Sequence, residues 1–320
     1  MARVFVCGEA LIDFVPGETA AGERAFRPLP GGSPFNVAKA AAKAGAQSEF
    51  VGAIGSDFLG DMLLDDLTAS GASHAYGQRP DAPAPLAFVA YENGQPRYAF
   101  HFAGTADEAL RPSLDDVPPE AGDIVHVGSI SLAGASASPV TEFAMRESEG
   151  RMLSLDPNVR ASMIPNRTKW HGRMDRLIGA STILKLSDED LAYLAPGTAP
   201  EEFARNAIER GQSGDGPALV VVSGGETGAM AYAGKRSVNV RAPRVEVADT
   251  VGAGDTLMGS MLAWLQSAGK HDRAAIAAMG DEDLHAMLTF AATAAAINCT
   301  RHGCVPPSRN EIETFVREKA

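Results

Sequence analysis

The sequence predicts an α/β fold with a mainly parallel central sheet and a small second sheet. Short β-rich runs alternate with segments whose apolar residues recur at helical spacing, which is typical of βαβ units. One portion of the chain breaks this alternation with consecutive extended runs, which indicates a separate β unit. The chain has 320 residues, 45% of them hydrophobic. This is enough for one large core plus a small accessory unit, so we expect a single domain over 1–320.

The central sheet is predicted from short apolar runs, and the helices from the segments between them. The predicted strands are RVFVCG (3–8), DIVHVGSI (123–130), RMLSLD (151–156), STILKL (181–186), ALVVVSGG (218–225) and strand-like segments near 229–247. The strand-like run VEVAD ends at Asp249. The predicted helices are 34–45, 57–70, 138–149, 201–211, 254–268 and 282–300.

The small sheet is predicted from two extended regions. PLAFVAYENGQPRYAFHF (85–102) contains two strand-like runs around Asn93-Gly94, a strong hairpin signal because both residues tolerate positive φ. An earlier segment, 13–30, is also extended, with turn residues in its middle. We therefore predict a small β-sheet that projects from the main body and is formed by about 11–29 and 84–103.

Charge and composition exclude several classes of protein. The formal net charge is −12 and no run of basic residues occurs, so nucleic acid and anionic membrane surfaces are poor partners. The N-terminus lacks the features of a signal peptide, and no apolar stretch is long enough to predict a transmembrane helix. The sparse cysteines, Cys7, Cys299 and Cys304, suggest free thiols in a reducing cytoplasm.

A glycine-rich motif, DTVGAGDTLMGSM (249–261), precedes a predicted helix. Gly252 and Gly254 allow a tight turn and a close approach of the backbone to a ligand. The amides of these two residues, of Ala253 and of Asp255 would point outward at the helix N-terminus. Such amides, together with the helix dipole, predict an anion site.

Asp255 has two interpretations. A carboxylate beside an anion site can accept the hydroxyl proton when a phosphoryl group is transferred to an alcohol. Alternatively, it only caps its helix, which is common. The motif is neither a Walker A loop nor G-x-G-x-x-G, and Gly8-Glu9-Ala10 after the first strand does not supply a dinucleotide fingerprint, which disfavours a dehydrogenase.

A second motif, PGGSPFNVAKAAAKAGA (30–46), predicts a well-delimited helix. Gly31 and Gly32 give a flexible turn, and Ser33 is a good N-cap residue. Asn36 lies in the first turn and faces the loop. By itself this motif indicates a helix and nothing more.

Together, the two motifs resemble the paired signatures of the ribokinase-like (PfkB) sugar kinase family. GG-S-x-x-N-x-A and D-T-x-G-A-G-D-T carry the resemblance, and Asp13 after the first strand and TRHG (300–303) extend it over nearly the whole chain. The resemblance implies a three-layer α/β sandwich with a small β-sheet lid over the sugar. It also implies ATP-dependent phosphorylation of a sugar hydroxyl, and a homodimer, because lid sheets of this family often meet across a dimer.

By this similarity Asp255 is the general base, and the amides from Gly252 through Ala253 and Gly254 to Asp255 form the anion hole. The implied sugar ligands are Asp13, Gly31, Gly32 and Asn36. Paired hydroxyls suit a carboxylate and an amide, which offer well-defined hydrogen-bond partners. The alternative for Asp13 is a turn residue.

Nucleotide contacts are implied in two loops. SGGETG (223–228) resembles the family's phosphate and ribose loop, which implies Ser223, Gly225 and Gly228 as ATP ligands; the alternative is an ordinary strand-to-hairpin turn. KLSDEDL (185–191) resembles a segment that often reads N-x-x-E and helps to organise magnesium and phosphate; the matching residues are Ser187 and Asp190. Lys185 either contacts phosphate or is a solvated lysine at the end of a strand. Serine in place of asparagine shortens the reach. Mg²⁺ is expected chiefly on the ATP phosphates and on water.

A monovalent cation, usually potassium, often lies beside the anion hole in this family. Asp249 and the carbonyls of Val251, Arg301 and Gly303 match that position. The alternative for Asp249 is that it only caps its loop.

The acceptor sugar is indicated by two further segments. DPNVR (156–160) matches an element of fructokinase-like and 2-keto-3-deoxygluconate kinase-like members, which implies that Arg160 faces the acceptor pocket. Keto-acid kinases carry a lid arginine about where this chain has Phe102, and an apolar residue cannot pair with a carboxylate. A neutral ketohexose is therefore favoured over a keto acid, and we predict that fructose is phosphorylated to fructose 6-phosphate. A 2-keto-3-deoxygluconate kinase or a ribokinase of the same family is the alternative. Phe100 contacts the sugar or only packs the lid. A non-catalytic sugar or nucleotide sensor is the alternative from another class.

Overall fold

The computed structural model describes residues 2–92 and 95–319. The predicted turn at Asn93-Gly94 lies outside the described residues. Across the described ranges, no helix is both long and apolar enough to cross a membrane.

The large sheet is mainly parallel, as predicted. Its strands lie in the spatial order β12-β11-β10-β9-β8-β7-β1-β4. The six neighbouring strands β4, β1, β7, β8, β9 and β10 pair in parallel. At the other edge, β11 pairs antiparallel with β10 and with β12, so that β11 and β12 form a hairpin. The strands of the two sheets are β1 (Arg3–Cys7), β2 (Leu11–Glu18), β3 (Arg24–Gly31), β4 (Gln47–Phe50), β5 (Leu86–Glu92), β6 (Gln95–His101), β7 (Ile124–Gly128), β8 (Met152–Asp156), β9 (Ile183–Ser187), β10 (Leu219–Ser223), β11 (Ala229–Ala233) and β12 (Arg236–Val240).

Helices cover both faces of the large sheet. They are α1 (Ser33–Lys43), α2 (Phe58–Ala69), α3 (Ala137–Glu147), α4 (Arg167–Ala180), α5 (Asp188–Leu194), α6 (Pro200–Gln212), α7 (Ala253–Ser267), α8 (Arg273–Ala277), α9 (Asp281–Cys299) and α10 (Arg309–Lys319). Alternate strand residues point to opposite faces, so the sheet separates two apolar cores. One core packs against α1, α2, α7 and α9, and the other against α3, α4 and α6. These three layers confirm the predicted sandwich.

The small sheet has the order β3-β2-β5-β6. Strands β2 and β5 pair in parallel, and each forms an antiparallel pair with its outer neighbour. Strand β2 starts only a few residues after β1 ends, so the small sheet leaves the large one near the carboxyl ends of the parallel strands. In α/β proteins this edge is where ligands bind.

The predicted elements omit strand β4 and helices α5, α8 and α10, and they differ from the structure in two further places. Helix α4 was not predicted, although Trp170, Met174 and Leu177 recur at helical spacing and are buried. The strand-like segment VEVAD, in contrast, is not a strand. Its amides at Ala248 and Asp249 donate to the Cys299 carbonyl at 2.8 and 3.2 Å, so the end of α9 takes the place of a neighbouring strand.

Candidate active site

Helix α7 begins with a sharp left-handed turn at Gly252. The φ angle of Gly252 is 73°, and an added Cβ would lie 2.4 Å from the Cys304 Sγ. The first i→i−4 hydrogen bond runs from the Thr256 amide to the Gly252 carbonyl at 2.8 Å. Amides before that bond lack such a partner, so those of Gly254 and Asp255 are available to an anion.

Ala253 differs from its neighbours in this turn. Its amide donates to the Thr250 carbonyl at 3.2 Å, a length at which an N–H···O bond is weak. To bind the Ala253 amide, an anion at the start of α7 would have to displace this local hydrogen bond. The amides of Gly254 and Asp255 have no such bond to displace.

The carboxylate of Asp255 is held by two donors from α1. Ser33 Oγ donates to Oδ1 at 2.7 Å, and Asn36 Nδ2 donates to Oδ2 at 2.9 Å. Asp255 is only 8% exposed. Burial raises its pKa, although the two hydrogen bonds oppose that shift. A carboxylate with a raised pKa is a stronger base, which suits the acceptance of a hydroxyl proton.

Close packing of α1 on α7 explains how these residues meet. A Cβ added at Gly259 would lie 2.5 Å from the Val37 carbonyl oxygen, so only glycine permits this helix contact. The contact brings Ser33 and Asp255 together although they are 222 residues apart in the chain.

The prediction that Ser33 caps α1 was wrong. The N-cap position is Gly32, and no side chain caps the helix from there. The Ser33 hydroxyl is bonded to Asp255, and its backbone amide donates to Glu9 Oε1 at 3.3 Å. A carboxylate from outside the helix thus replaces the local cap.

Asp13 lies against Gly31 of the second motif. A Cβ added at Gly31 would lie 2.3 Å from Asp13 Oδ2, and Gly32 has a φ angle of 103°. Burial, and next the charge of Asp255, raises the pKa of Asp13 to about 7, while Arg160 lowers it. The charges of Asp255 and Arg160 therefore both act on Asp13, where the small sheet leaves the large one.

Arg160 follows β8 on an exposed loop. Its Nη1 donates to Asn158 Oδ1 at 2.8 Å and to the Val159 carbonyl at 3.1 Å. Asn158 itself has a left-handed φ angle of 36°. The guanidinium is bonded to its own loop, yet its charge still lowers the pKa of Asp255 and of Asp13.

Phe100 lies in register with Asp13 across the small sheet. Asp13 pairs with Ala87, and Ala87 pairs with Phe100. Directly paired residues place their side chains on the same face of a sheet. Phe100 stacks on Tyr98 at a centroid distance of 5.6 Å, so an aromatic row lies on the face that carries Asp13.

A buried ion pair lies beside the start of α7. Lys185 Nζ and Asp156 Oδ2 are 2.7 Å apart, and both side chains are almost fully buried. A Cβ added at Gly254 would lie 3.3 Å from the Lys185 ammonium nitrogen. Burial lowers the pKa of Lys185, but nearby carboxylates, first that of Asp156, outweigh it and the pKa is raised. Lys185 therefore carries a positive charge next to the predicted anion hole.

Ser187 and Asp190 form a capping box at the start of α5. Ser187 Oγ accepts the Asp190 amide at 3.0 Å, and Asp190 Oδ2 accepts the Ser187 amide at 2.8 Å. Asp190 Oδ1 accepts the Val159 amide at 2.6 Å. Both carboxylate oxygens are thus occupied, and they join the β9–α5 turn to the loop that carries Arg160.

The segment 223–228 makes a tight turn between β10 and β11. Ser223 ends β10 and pairs with Ser187, the last residue of β9. Gly225 and Gly228 have φ angles of 57° and 99°, and a Cβ at Gly228 would lie 2.0 Å from the Val240 carbonyl oxygen. The turn lies at the same edge of the sheet as Lys185.

Asp249 joins two loops next to α7. Its Oδ1 accepts the Val251 amide at 3.0 Å, and its Oδ2 accepts the Gly303 amide at 2.9 Å. The side chain of Arg301 donates to the Val305 carbonyl at 3.1 Å. Among the described residues, no group of three or more His, Cys, Asp or Glu side chains could hold a metal ion. A cation here would depend on backbone carbonyls together with Asp249.

The structure thus brings Asp255, Asp13, Asn36 and Lys185 to one edge of the large sheet. Sequence reasoning missed two residues beside them. Asp156 ends an apolar strand with a charge, and Glu9 interrupts an apolar run after β1; both are 1% exposed. A charged residue at the carboxyl end of a buried strand was the signal that could have identified them.

Comparisons with known proteins identify relatives over most of the chain. The family described as "pfkB family carbohydrate kinase" matches residues 1–311. A fructokinase from Rhizobium leguminosarum bv. trifolii is 36% identical over 266 residues, which are 82% of this chain and 79% of that protein. The structure of a fructokinase with bound ATP from Xylella fastidiosa superposes with a TM-score of 0.84 at 28% identity, over 99% of this chain and 98% of that one. A fructokinase from Vibrio cholerae O395, in a form with fructose, ADP and calcium ion bound, gives a TM-score of 0.81 at 26% identity, with 98% and 99% covered.

Proposed function

Because the chain belongs to the pfkB family of carbohydrate kinases, we propose that it is an ATP-dependent fructokinase that converts fructose to fructose 6-phosphate. The position of Asp255 carries the proposal: its buried carboxylate lies in the first turn of α7, beside backbone amides that precede the helical ladder. Phosphoryl transfer to an alcohol requires such a base next to an anion site.

Asp255 is the proposed general base. A fructose hydroxyl gives its proton to the carboxylate while the hydroxyl oxygen bonds to the γ-phosphorus of ATP. The bond from that phosphorus to the β–γ bridging oxygen breaks, and its electron pair leaves with ADP. The hydrogen bonds from Ser33 and Asn36 keep the carboxylate fixed, so its orientation is set before the substrates arrive.

The proposed anion hole consists of the amides of Gly252, Ala253, Gly254 and Asp255. Fixed amides stabilise the negative charge of the transferred phosphoryl group without reorganising during the reaction. The ammonium of Lys185, next to Gly254, adds a full positive charge on the same side and serves as a phosphate ligand.

The proposed sugar ligands are Asp13, Gly31, Gly32 and Asn36. Asn36 Oδ1 is buried and has no hydrogen-bond partner within the described part of the chain, so it can accept a sugar hydroxyl. Gly31 leaves room for the Asp13 carboxylate, which can accept further hydroxyls. Arg160 and Phe100 would complete the sugar site. Arg160 contributes its positive charge, and Phe100 lies on the same face of the small sheet as Asp13.

ATP is proposed to bind along the loops that follow β9 and β10. Ser187, Ser223, Gly225 and Gly228 lie at that edge of the sheet. Mg²⁺ is proposed to bind together with ATP, held by its phosphates. Asp190 is not needed as a direct ligand, because both of its carboxylate oxygens already accept backbone amides. The ion would neutralise phosphate charge there.

A potassium ion is proposed next to α7. Asp249 and the carbonyls of Val251, Arg301 and Gly303 would hold it, and this set of oxygen donors suits a hard cation. Asp249 supports the site because its carboxylate draws residues 251 and 303 together. The same two hydrogen bonds are also what a loop-capping aspartate makes.

The small sheet is proposed to act as a lid within a single domain over 1–320, with the lid formed by about 11–29 and 84–103. Closure over the sugar would exclude water, which is a competing acceptor for the phosphoryl group. A homodimer joined through the lid sheets and a cytoplasmic location stay predictions.

A sugar panel tests the substrate. We expect ADP release with Mg-ATP and fructose to exceed clearly that with ribose or 2-keto-3-deoxygluconate. Faster turnover of the keto acid would contradict the interpretation of Phe102, and no sugar-dependent ADP release would favour the sensor.

Asp255→Asn tests the base. We expect kcat to fall by roughly 10²–10⁴ while fructose still binds, because the variant cannot accept the proton. Fructose binding is measured by titration calorimetry, and ADP release in a coupled assay. Asp281→Asn is the matched control, since Asp281 is an exposed acid in the first turn of α9. A fully active Asp255→Asn enzyme would remove the assigned base.

A further inference from the structure

A carboxylate that the proposed mechanism does not use lies behind the start of α1. Glu9 belongs to the short link between β1 and β2 and is 1% exposed. Its Oε2 accepts the Ser131 amide at 3.0 Å and also the Ser131 hydroxyl, and its Oε1 accepts the Ser33 amide at 3.3 Å. The backbone amide of Glu9 donates back to Ser131 Oγ at 2.7 Å. A buried acid with this many donors is held in one orientation.

Glu9 supplies what the first turn of α1 lacks. The N-cap residue is Gly32, which has no side chain, and the first turn contains no acidic residue. A carboxylate at a helix N-terminus satisfies an unpaired amide and interacts favourably with the helix dipole. Glu9 does this from a different element, so it fixes the start of α1 relative to β1 and to the segment after β7.

The contact continues to the proposed base. The Ser33 amide is bonded to Glu9, and the Ser33 hydroxyl donates to Asp255 Oδ1 at 2.7 Å. We propose that Glu9 is a positioning residue for phosphoryl transfer: it fixes Ser33, and Ser33 in turn fixes Asp255. The role of Glu9 rests on the proposed function, because it acts only through Asp255.

The surroundings of Glu9 place its titration in the range where the enzyme would be assayed. Burial raises the pKa of Glu9 to about 7; hydrogen bonds from Ser131 and Ser129 lower it, and the charge of Asp107 raises it. The other titratable group that faces it is the buried thiol of Cys7, which stays neutral because its pKa is raised. Asp107 is itself bonded to Ser136 Oγ at 3.0 Å.

Glu9→Gln is the first test. The amide keeps the size of the side chain but offers one acceptor oxygen in place of two, so the Ser33 amide or Ser131 loses its partner. We expect kcat to fall about tenfold, the effect of one hydrogen bond, with the KM for ATP unchanged. The Ser33 hydrogen bond lowers the pKa of Asp255. A loosened Ser33 should therefore move the acidic limb of the kcat–pH profile to higher pH.

A double-mutant cycle tests whether Glu9 acts through Ser33. Ser33→Ala should give the same direction of pH shift, and Glu9→Gln combined with Ser33→Ala should lower kcat no further than Ser33→Ala alone. Additive losses, or a Glu9→Gln variant with the wild-type pH profile, would overturn the proposal. A purely structural role would lower thermal stability and leave the pH profile in place.

Two further variants keep the result interpretable. Glu49→Gln is the matched control, because Glu49 is a buried acid on the edge strand β4, and its kcat and pH profile should equal those of the wild type. If the Glu9→Gln variant does not fold, the Ser131→Ala variant tests the proposal instead. This variant keeps the Glu9 carboxylate but removes the Ser131 hydroxyl that donates to it, so its kcat–pH profile should shift in the same direction. A wild-type protein without sugar-dependent ADP release would refute the proposed function itself, and an active Asp255→Asn enzyme would refute the assigned base. An inactive Asp255→Asn enzyme with an unaffected Glu9→Gln variant would refute only the role of Glu9.

Discussion

The carboxyl group of Asp13 has a pKa of about 7, because burial and the charge of Asp255 both disfavour its ionised form. Asp255 is shifted in the same direction, chiefly by burial. The two carboxylates thus share a region in which negative charge is costly, and Arg160 compensates only in part. If Asp13 binds the sugar as proposed, its titration sets the pH range in which the sugar binds.

Asp13 should make fructose binding depend on pH. The ionised carboxylate accepts sugar hydroxyls better than the neutral acid does, so the Kd for fructose should rise as pH falls through about 7. The limit is about tenfold per pH unit. Calorimetric titration without nucleotide, from pH 5.5 to 8.5, measures this. Asp13→Asn should bind fructose weakly at every pH; a wild-type Kd that does not change with pH would contradict the prediction.

At the scale of the element, α7 begins with two glycines that are required for different structural reasons. Gly252 has a left-handed φ of 73° and contacts Cys304, whereas Gly254 is helical and faces Lys185. The first glycine is required by backbone conformation and close packing. The second is required only by the space near the ammonium group, where the phosphate would lie.

Alanine substitutions should separate these duties. Gly252→Ala should lose at least about 1–2 kcal/mol of stability, because an L side chain is strained at this φ and would clash with Cys304. Gly254→Ala should keep its stability, because alanine favours helix, yet lower kcat/KM for ATP roughly tenfold or more by displacing Lys185. Thermal unfolding and initial rates measure both.

Gly172→Ala in α4 is the control for this pair. An added Cβ there meets no atom within 4 Å, so the substitution should raise stability slightly and leave activity as it is. A stable Gly252→Ala variant, or a fully active Gly254→Ala variant, would show that the start of α7 does not have the assigned roles.

At the scale of the whole molecule, buried acids make stability depend on pH. Burial is the first cause that raises the pKa of Glu9 and of Asp13 to about 7 and that of Asp107 to about 6. The native state therefore binds more protons than the unfolded state between about pH 4 and pH 7. The free energy of unfolding consequently falls as pH rises through this window. The net charge of −12 acts in the same direction.

Denaturant unfolding at constant ionic strength should show this trend. We expect the free energy of unfolding to be lower at pH 8 than at pH 5.5, by an amount on the order of a few kcal/mol. Asp107 lies outside the proposed catalytic groups. The Asp107→Asn substitution removes one group with a raised pKa, so it should reduce the difference in the free energy of unfolding between pH 5.5 and pH 8. A free energy of unfolding that increases steadily from pH 5.5 to pH 8 would contradict the prediction.

Several features could be predicted from local sequence. The alternation of strands and helices follows from apolar periodicity, and the turns at Gly32 and Gly252 follow from the need for positive φ. The proposed anion site at the start of α7 depends only on the order of residues along one helix. Where local signals were weak or ambiguous, as in α4 and VEVAD, tertiary contacts decided the structure.

What only the tertiary structure decided is which side chains meet. Ser33 has the sequence context of a helix cap, but the contact with Asp255, 222 residues away, gives its hydroxyl a different partner. The Lys185–Asp156 pair and the contacts of Glu9 likewise join separate strands and loops. Local sequence sets torsion angles and periodicity, which act over a few residues. The partners of a buried polar group depend on how close whole elements pack, and that distance is fixed only when the sheet and helices assemble.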